Sequence, residues 1–244
     1  MGSTVCAAVA DDPDLELVAA VDPRAAGETV GGVTVTTRPE VVLEAGASVA
    51  VDFTVLDAAR QNARWCAANA VHCVIGTSGY AYDRDEVELM QASFTRSNCL
   101  VAPNFAIGAV LMMRFAALAA PYFDSAEIVE LHHDTKVDAP SGTATATAAM
   151  MAAASSDWSP DPTKQETLAG ARGAVGGSGI HIHSVRLRGL VAHQEVLLGT
   201  TGQMLTIRHD SYDRSSFMPG VLLACKRVAS HPGVTIGLEG YLDL

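Results

Sequence analysis

The first hundred residues alternate between strand-like and helix-like patterns, and this alternation restricts the fold more than any other feature of the chain. Short apolar runs typical of buried strands occur at Ser48–Thr54, Val71–Ile75 and Cys99–Ala102. Helical patterns at Leu56–Ala70 and Asp85–Ser93 separate them. Strands that alternate with helices pair in parallel through right-handed crossovers. The sequence therefore predicts an α/β domain of Rossmann-like type with a parallel sheet.

The start of the chain continues this pattern. Residues 3–10 are typical of the rear part of a helix. Asp14–Asp22 predicts a buried strand that ends in an acidic residue. An acid at the end of such a strand is positioned to accept hydrogen bonds from the ribose hydroxyls of a dinucleotide. The alternative is that Asp22 is an ordinary surface acid in a turn before Pro23.

The pattern changes after a helical stretch at 107–121. A strand is predicted at Ala126–His132, a helix at Ser141–Ala154 and a long surface loop at 155–179. Three further strands, separated by short turns that contain glycine, are predicted at Ile180–Arg188, His193–Leu198 and Met204–His209. This indicates an α+β domain at 104–213 with a mixed, largely antiparallel sheet. Residues 1–103 and 214–244, which include a helix at Asp213–Ala229 and a strand at Val234–Leu238, are assigned to the first domain.

The composition excludes several functional classes. Of the 244 residues, 49% are hydrophobic, and the formal net charge is -11, so the surface repels nucleic acid. No apolar run reaches the roughly 20 residues that span a bilayer, and the N-terminus has no signal peptide pattern. The five cysteines form no CxxC pair, which favours reduced thiols in a cytoplasmic protein.

The run from Glu130 to Ala144 concentrates chemically active residues. His132 exchanges a proton near neutral pH, and Lys136 supplies a positive charge or a proton. The segment 138–143 resembles a helix entry, whose free N–H groups and positive end suit a carboxylate or phosphate. The run therefore predicts a site for an anionic substrate that must be protonated.

Other interpretations of the histidines and of the helix entry stay open at this point. A His-His pair is usually polar surface, and a Pro-Ser-Gly sequence often only caps a helix. His132 and His133 are adjacent on a predicted strand and point to opposite faces, which disfavours a shared metal. His181 and His183 share a face, but no third ligand is identifiable. No metal is predicted.

The same run closely resembles the signature of the dihydrodipicolinate reductases, the 4-hydroxy-tetrahydrodipicolinate reductases of lysine and diaminopimelate biosynthesis. The similarity extends along the chain to Val51–Thr54, Gly76–Gly79, Ala102–Gly108 and His183–Gly220. Residues 191–195 resemble the actinobacterial branch of the family.

The resemblance implies an activity and a set of site residues. The family reduces a cyclic, unsaturated dicarboxylate with hydride from NADH or NADPH and releases water. By this resemblance, His132 is the proton donor and acceptor, and Lys136 is a second proton donor. The implied substrate-binding residues are His133, Ser141, Gly142 and Thr143. The implied cofactor-binding residues are Gly2, Asp22, Arg24, Phe53, Thr54, Gly76, Thr77, Ala102, Pro103, Asn104 and Phe105. Arg24 can alternatively bind the 2′-phosphate of NADPH, so the choice between NADH and NADPH stays open. The family also implies a homotetramer built through the sheets of the second domain.

One part of the family pattern is absent from the sequence. Family members begin with a strand and a G-x-x-G-x-x-G turn, and Gly2 aligns with the last glycine of that turn. We therefore expect an N-terminally truncated Rossmann-like domain and a true start codon farther upstream. The alternative function is a truncated or catalytically silent subunit that binds a dicarboxylate but no dinucleotide.

Overall fold

The computed structural model describes residues 1–77 and 84–242. The chain divides into two compact units, unit 1 comprising Met1–Ile107 and Arg214–Leu244, and unit 2 comprising Gly108–Asp213. The helices are α1 (Gly2–Asp11), α2 (Val41–Glu44), α3 (Leu56–Ala68), α4 (Arg84–Ser93), α5 (Ile107–Ala119), α6 (Gly142–Ala154) and α7 (Met218–Arg227). The strands are β1 (Thr29–Val30), β2 (Val33–Thr34), β3 (Val49–Asp52), β4 (His72–Ile75), β5 (Cys99–Val101), β6 (Ser125–His132), β7 (Ala174–Val175), β8 (His181–Arg186), β9 (Ala192–Thr200), β10 (Gln203–Ser211) and β11 (Val234–Ile236).

Unit 1 contains a four-stranded parallel sheet in the order β11-β5-β4-β3. The two central strands, β4 and β5, are almost entirely apolar and buried, as expected where both faces of a sheet are covered. Small residues on one face of α3 allow close packing against β4 and β5. The buried residues of this core are Ala59, Ala63, Cys66, Ala67, Val71, Cys73, Ile75, Met90, Phe94, Cys99 and Val101. The predicted α/β unit with a parallel, Rossmann-like sheet is confirmed.

The strand predicted at Asp14–Asp22 is wrong. Its residues run without a ladder, and its one pairing is an isolated bridge between Val21 and Thr36. An apolar run becomes a strand only where a neighbouring strand lies within hydrogen-bonding distance, and sequence periodicity does not report the neighbour. The sequence patterns also predicted neither the small β1–β2 hairpin nor the helix α2.

Unit 2 contains a five-stranded mixed sheet in the order β10-β9-β6-β8-β7. β6 is central, antiparallel to β9 and parallel to β8. Helix α6 packs on β6 and β8 and buries Ala144, Thr147, Ala148 and Met151. The predicted α+β unit with a largely antiparallel sheet is confirmed. Because β6 is central, residues near its end have neighbouring strands on both sides and a helix over one face.

The helix predicted at Asp213–Ala229 is interrupted near its start. Residues Arg214–Phe217 form a 3-10 turn, and α7 begins at Met218, with Pro219 in its first turn. Proline lacks a backbone N–H, so the first turn is where a helix tolerates it. Within residues 1–77 and 84–242, no helix has the length and apolar character that a bilayer crossing requires.

Gly220 on α7 tests the packing of unit 1. A Cβ at this position would lie 2.1 Å from the carbonyl oxygen of Phe105 and 2.9 Å from a methyl carbon of Leu238. We expect Gly220→Ala to destabilise the protein by about 1–3 kcal/mol, because the clash with backbone outweighs the better helix propensity of alanine. Gly2→Ala is the control, since, apart from its chain neighbours and the backbone of α1, no described residue has an atom within 4 Å of a Cβ there. Urea unfolding followed by circular dichroism measures both; equal midpoints would contradict the packing described.

Candidate active site

The residues singled out in the run from Glu130 to Ala144 lie on one connection of unit 2. β6 ends at His132, a turn carries His133 and Lys136, and α6 begins after Ser141. His132 and Lys136 are partly buried, whereas His133 is exposed. The connection therefore places two imidazoles and an ammonium group between the end of the central strand and the start of a helix.

Glu130 is the hub of this connection. Its carboxylate is fully buried and accepts hydrogen bonds from several groups at once. The Nη1 and Nη2 atoms of Arg186 donate to its two oxygens at 2.9 and 2.8 Å. The backbone N–H of Ser141 donates to Oε1 at 3.2 Å, and Nδ1 of His132 lies within hydrogen-bonding distance of Oε2. One carboxylate thus joins β6, β8 and the start of α6.

The charge of Glu130 is maintained by these donors. Burial on its own raises the pKa of a carboxyl group, because it penalises the charged form. Hydrogen bonds from Arg186, Ser184 and His132 outweigh the burial and lower the pKa of Glu130 below its usual value. A buried charge is tolerated when it is paired and hydrogen-bonded. Glu130 meets this condition, because Arg186 binds both of its oxygens and Ser141 and His132 bind one each. Glu130 is therefore a carboxylate near neutral pH.

His132 has one ring nitrogen committed to Glu130. Since an ionised carboxylate only accepts hydrogen bonds, Nδ1 of His132 is the donor and carries a proton. Nε2 is then the ring nitrogen at which His132 takes up or releases a proton. Burial lowers the pKa of His132, the hydrogen bond that its Nδ1 donates to Glu130 opposes this, and the positive charges of Lys136 and Arg186 add to the lowering.

Lys136 is paired within the turn. Its Nζ donates to both carboxylate oxygens of Asp138 at 2.7 Å. This ion pair lowers the pKa of Asp138. Nη2 of Arg186 also donates to the backbone carbonyl of Asp138 at 2.7 Å. Arg186 therefore connects the segment that carries Lys136 to the carboxylate that holds His132.

Ser141 is the N-cap of α6. Its backbone is extended (φ -65°, ψ 151°), and its Oγ accepts the N–H of Ala144 at 3.2 Å. The first N–H groups of a helix have no acceptor within the helix, and the helix dipole makes this end positive. Gly142, the first residue of α6, is exposed and carries no side chain. The start of α6 is thus suited to bind a carboxylate.

The remaining substrate-site predictions lie beside this helix start. Thr143 is the second residue of α6 and is partly buried. Nδ1 of His133 is hydrogen-bonded to the hydroxyl oxygen of Thr135 at 2.7 Å. The backbone N–H of Lys136 donates to the carbonyl of His133 at 3.2 Å, which closes the turn. The structure therefore brings His132, His133, Lys136, Ser141, Gly142 and Thr143 onto one short connection.

In unit 1, the predicted cofactor residues lie where parallel strands end. Phe53 and Thr54 follow β3, and Gly76 and Thr77 follow β4. The buried carboxylate of Asp52 accepts the hydroxyls of Thr54 and Thr77 at 2.8 and 3.5 Å, so it ties the two loops together. A Cβ at Gly76 would lie 2.1 Å from the ring of Phe53, which explains the glycine. Ser78 and Gly79 of this predicted motif lie outside the described residues.

The loop after β5 lies at the same edge of the sheet. Ala102 and Phe105 are buried, Pro103 is exposed, and the side-chain oxygen of Asn104 accepts the N–H of Ala106 at 2.9 Å. The ring of Phe105 lies 5.5 Å from that of Phe53. Open α/β sheets bind ligands at the carboxyl ends of their strands. A partly exposed aromatic ring, a glycine and two hydroxyls at this edge fit the flat ring and the ribose of a nicotinamide nucleotide.

The other predicted cofactor residues lie outside these loops. Gly2 is exposed at the start of α1. Asp22 is half-exposed, and its carboxylate accepts the N–H of Arg24 at 2.8 Å. The side chain of Arg24 is 93% exposed. Both side chains are accessible, which fits either a ribose hydroxyl at Asp22 or a phosphate at Arg24.

His181 and His183, considered above as metal ligands, have carboxylate partners instead. His181 Nε2 lies 3.1 Å from Asp161, and His183 Nε2 lies 2.7 Å from Glu127. Arg172 also pairs with Glu127 at 2.6 Å. Among the residues that the structure describes, no group of three or more histidine, cysteine or acidic side chains is placed to hold a metal ion.

Sequence reasoning assigned no role to Glu130, Arg186 or Asp52. Glu130 was detectable, because it lies two residues before His132 and therefore faces the same side of a strand. Asp52 ends an apolar strand, which is a similar signal. Arg186 was not detectable, because its approach to Glu130 depends on the pairing of His132 with Arg186 in the β6–β8 ladder.

Both halves of the chain are similar to the same family of known proteins. A family model described as "Dihydrodipicolinate reductase, N-terminus" matches residues 1–105, and one described as "Dihydrodipicolinate reductase, C-terminus" matches residues 108–242. The 4-hydroxy-tetrahydrodipicolinate reductase of Cutibacterium acnes is 53% identical, and that of Corynebacterium aurimucosum 50% identical. Each alignment covers 100% of this chain and 95% of the relative.

A solved structure shows the same similarity. The dipicolinate-bound dihydrodipicolinate reductase from Paenisporosarcina sp. TG-14 has a TM-score of 0.86 and 41% sequence identity. The match covers 99% of this chain and 95% of that chain. Both units of the present structure are therefore represented in a single known fold.

Proposed function

The chain belongs to the dihydrodipicolinate reductase family, and we propose that it reduces 4-hydroxy-tetrahydrodipicolinate to tetrahydrodipicolinate in the diaminopimelate and lysine pathway. The observation that carries the proposal is the connection from β6 to α6. It holds a histidine with a defined tautomer, a lysine and a helix start within one short segment. A cyclic dicarboxylate that accepts a hydride needs these groups, because it carries negative charge and must also gain a proton.

The substrate is held by its carboxylates. In the proposal, the backbone N–H groups of Gly142 and Thr143 receive one carboxylate at the positive end of α6, and Ser141 fixes that end by capping it. His133, which is exposed on the turn, receives a carboxylate through its imidazole. Lys136 exchanges its partner Asp138 for the substrate, since Asp138 is exposed and holds it only by a surface ion pair.

His132 and Lys136 handle the protons. Nε2 of His132 exchanges the proton at the reacting end of the substrate, while Nδ1 stays bound to Glu130. The hydroxyl group of the substrate leaves as water with the proton that Lys136 supplies, so the net reaction consumes one hydride and one proton. Lys136 also offsets the negative charge of the dianion. Both groups come from unit 2, so the proton chemistry is encoded in a single connection of the chain.

A nicotinamide dinucleotide, NADH or NADPH, supplies the hydride when bound. We assign its binding to the domain formed by residues 1–103 and 214–244, and substrate binding and tetramer formation to residues 104–213. The residues assigned to the cofactor are Gly2, Asp22, Arg24, Phe53, Thr54, Gly76, Thr77, Ala102, Pro103, Asn104 and Phe105. Asp22 suits the ribose of NADH, and Arg24 suits the 2′-phosphate of NADPH. The five cysteines are free, which supports a cytoplasmic location.

The reaction is tested by oxidation of NADH or NADPH in the presence of freshly prepared 4-hydroxy-tetrahydrodipicolinate. We expect His132→Gln and Lys136→Ala each to lower kcat by about 10²–10⁴-fold, the usual contribution of a general acid or base. Their affinity for the dinucleotide, measured by fluorescence titration, should stay within about twofold of the wild-type protein.

The control and the contrary outcomes follow from the location of the residues. His231→Gln is the matched control, because His231 lies in unit 1, where its ring stacks on Tyr241. It should leave kcat unchanged. A wild-type protein that binds pyridine-2,6-dicarboxylate but no dinucleotide would instead support the catalytically silent subunit. Full activity in His132→Gln would remove His132 from the mechanism.

We propose that the chain forms a homotetramer through the sheets of unit 2. The support is β10, an edge strand that carries two exposed apolar side chains, Met204 at 69% and Leu205 at 38% exposure. An edge strand with apolar residues tends to pair with another chain. Light scattering should give four times the chain mass, and Met204→Glu should lower it. Leu89→Glu, at an exposed apolar residue of unit 1, is the control; a monomeric wild-type protein would refute the assembly.

A further inference from the structure

Glu130 contacts both halves of the proposed substrate site, yet neither the family resemblance nor the comparisons give it a role. We propose that Glu130 is a positioning residue for the proposed reductase reaction, which fixes His132 as the Nδ1–H tautomer and anchors the start of α6 to the same carboxylate. This inference rests on the proposed function for its catalytic meaning. Its structural part, the tautomer of His132, does not.

The first step is the position of the two side chains on β6. Glu130 and His132 are two residues apart on a strand, so both side chains point to the same face. Oε2 of Glu130 lies within hydrogen-bonding distance of Nδ1 of His132. An ionised carboxylate has no proton to give, so the imidazole donates. Nε2 is therefore the nitrogen left for proton exchange.

The second step is that the carboxylate itself cannot turn. Arg186 holds both of its oxygens through a two-pronged hydrogen bond at 2.8 and 2.9 Å. The backbone N–H of Ser141 binds Oε1 at 3.2 Å. With donors on both oxygens and no exposed surface, Glu130 has a single orientation. The imidazole that donates to it takes its own orientation from that carboxylate.

The third step concerns the charges around His132. Its own strand contributes Glu130, the following turn contributes Lys136, and β8 contributes Arg186. On the other side of β6, the residue of β9 opposite His132 is Ala192, and alanine carries no charge. Glu130 is thus the negative charge in this set, and it opposes the effects of burial and of the two cations on protonated His132.

The fourth step joins the proton donor to the carboxylate-binding helix. The same Oε1 that binds Arg186 also binds the N–H of Ser141, which caps α6. Loss of the negative charge would leave the guanidinium of Arg186 without its buried counter-ion. It would also weaken the hydrogen bonds that hold His132 and the N–H of Ser141 at a fixed distance from each other. Misplacement of the proton donor affects the chemical step more than ground-state binding of the substrate.

The test compares Glu130→Gln with Glu127→Gln. Glu127 is a matched control, because it is on the same strand and also binds a histidine and an arginine, His183 and Arg172, but it does not contact His132. For Glu130→Gln we expect kcat to fall by at least about 10-fold and by no more than the roughly 10²–10⁴-fold that loss of a general acid itself would cause, with a smaller change in KM. The profile of kcat/KM against pH should shift to lower pH. For Glu127→Gln, kcat and the pH profile should match the wild-type protein.

Nitrogen-15 NMR of the His132 ring gives a second readout that needs no activity. In the wild-type protein, neutral His132 should be the Nδ1–H tautomer. In Glu130→Gln, its titration midpoint should move to lower pH, because the group that favours the protonated ring is lost. An Nε2–H tautomer in the wild-type protein overturns the proposal, and so does a Glu130→Gln protein with wild-type kcat and titration. If Glu130→Gln does not fold, the wild-type tautomer decides. If the wild-type protein lacks reductase activity, the proposed function fails while the tautomer still tests the positioning.

Discussion

An ion pair between the buried carboxylate of Glu130 and the partly buried guanidinium of Arg186 determines the geometry of the candidate active site. Glu130 is fully buried, and its carboxylate accepts hydrogen bonds directly from His132, Arg186 and the backbone N–H of Ser141. Arg186 also connects it to Asp138, the ion-pair partner of Lys136. Breaking a buried pair by removing one partner costs about 3–5 kcal/mol, because it leaves a charge without a counter-ion. The pair therefore has a stabilising role and an organising role that share the same atoms.

The mixed sheet of unit 2 makes this pair possible. β6 is central, and its parallel pairing with β8 places Glu130 opposite Ser184 and His132 opposite Arg186. From that position Arg186 contacts both the carboxylate of Glu130 and the carbonyl of Asp138. A shift of one residue in this register would send the side chain of Arg186 to the other face. The connection from β6 to α6 therefore depends on strand pairing made by residues more than fifty positions away in the chain.

The sequence predicted more of the fold and site than of the interactions that hold them together. Local sequence patterns predicted the strand β6 and the helix α6. The family-like run from Glu130 to Ala144 identified the candidate proton donors His132 and Lys136. The Asp14–Asp22 strand failed because a strand depends on a partner that local periodicity does not reveal. Arg186 was missed for the same reason, since its function arises from β6–β8 pairing. The sequence pattern places Glu130 on the same strand face as His132, but the burial of Glu130 and its contact with Arg186 follow only from the structure.

The ionisation state of Glu130 tests this account most directly. Carbon-13 NMR of the side-chain carboxyl, assigned by comparison with Glu130→Gln, follows it through a pH titration. The hydrogen bonds from Arg186, Ser184 and His132 outweigh burial, so the pKa of Glu130 should lie below its ordinary value of 4.5. A lowered pKa means that this carboxylate stabilises the fold at neutral pH and loses that contribution as the pH falls through the acid range. A Glu130 carboxyl that takes up its proton above pH 4.5 in the folded protein would contradict the account.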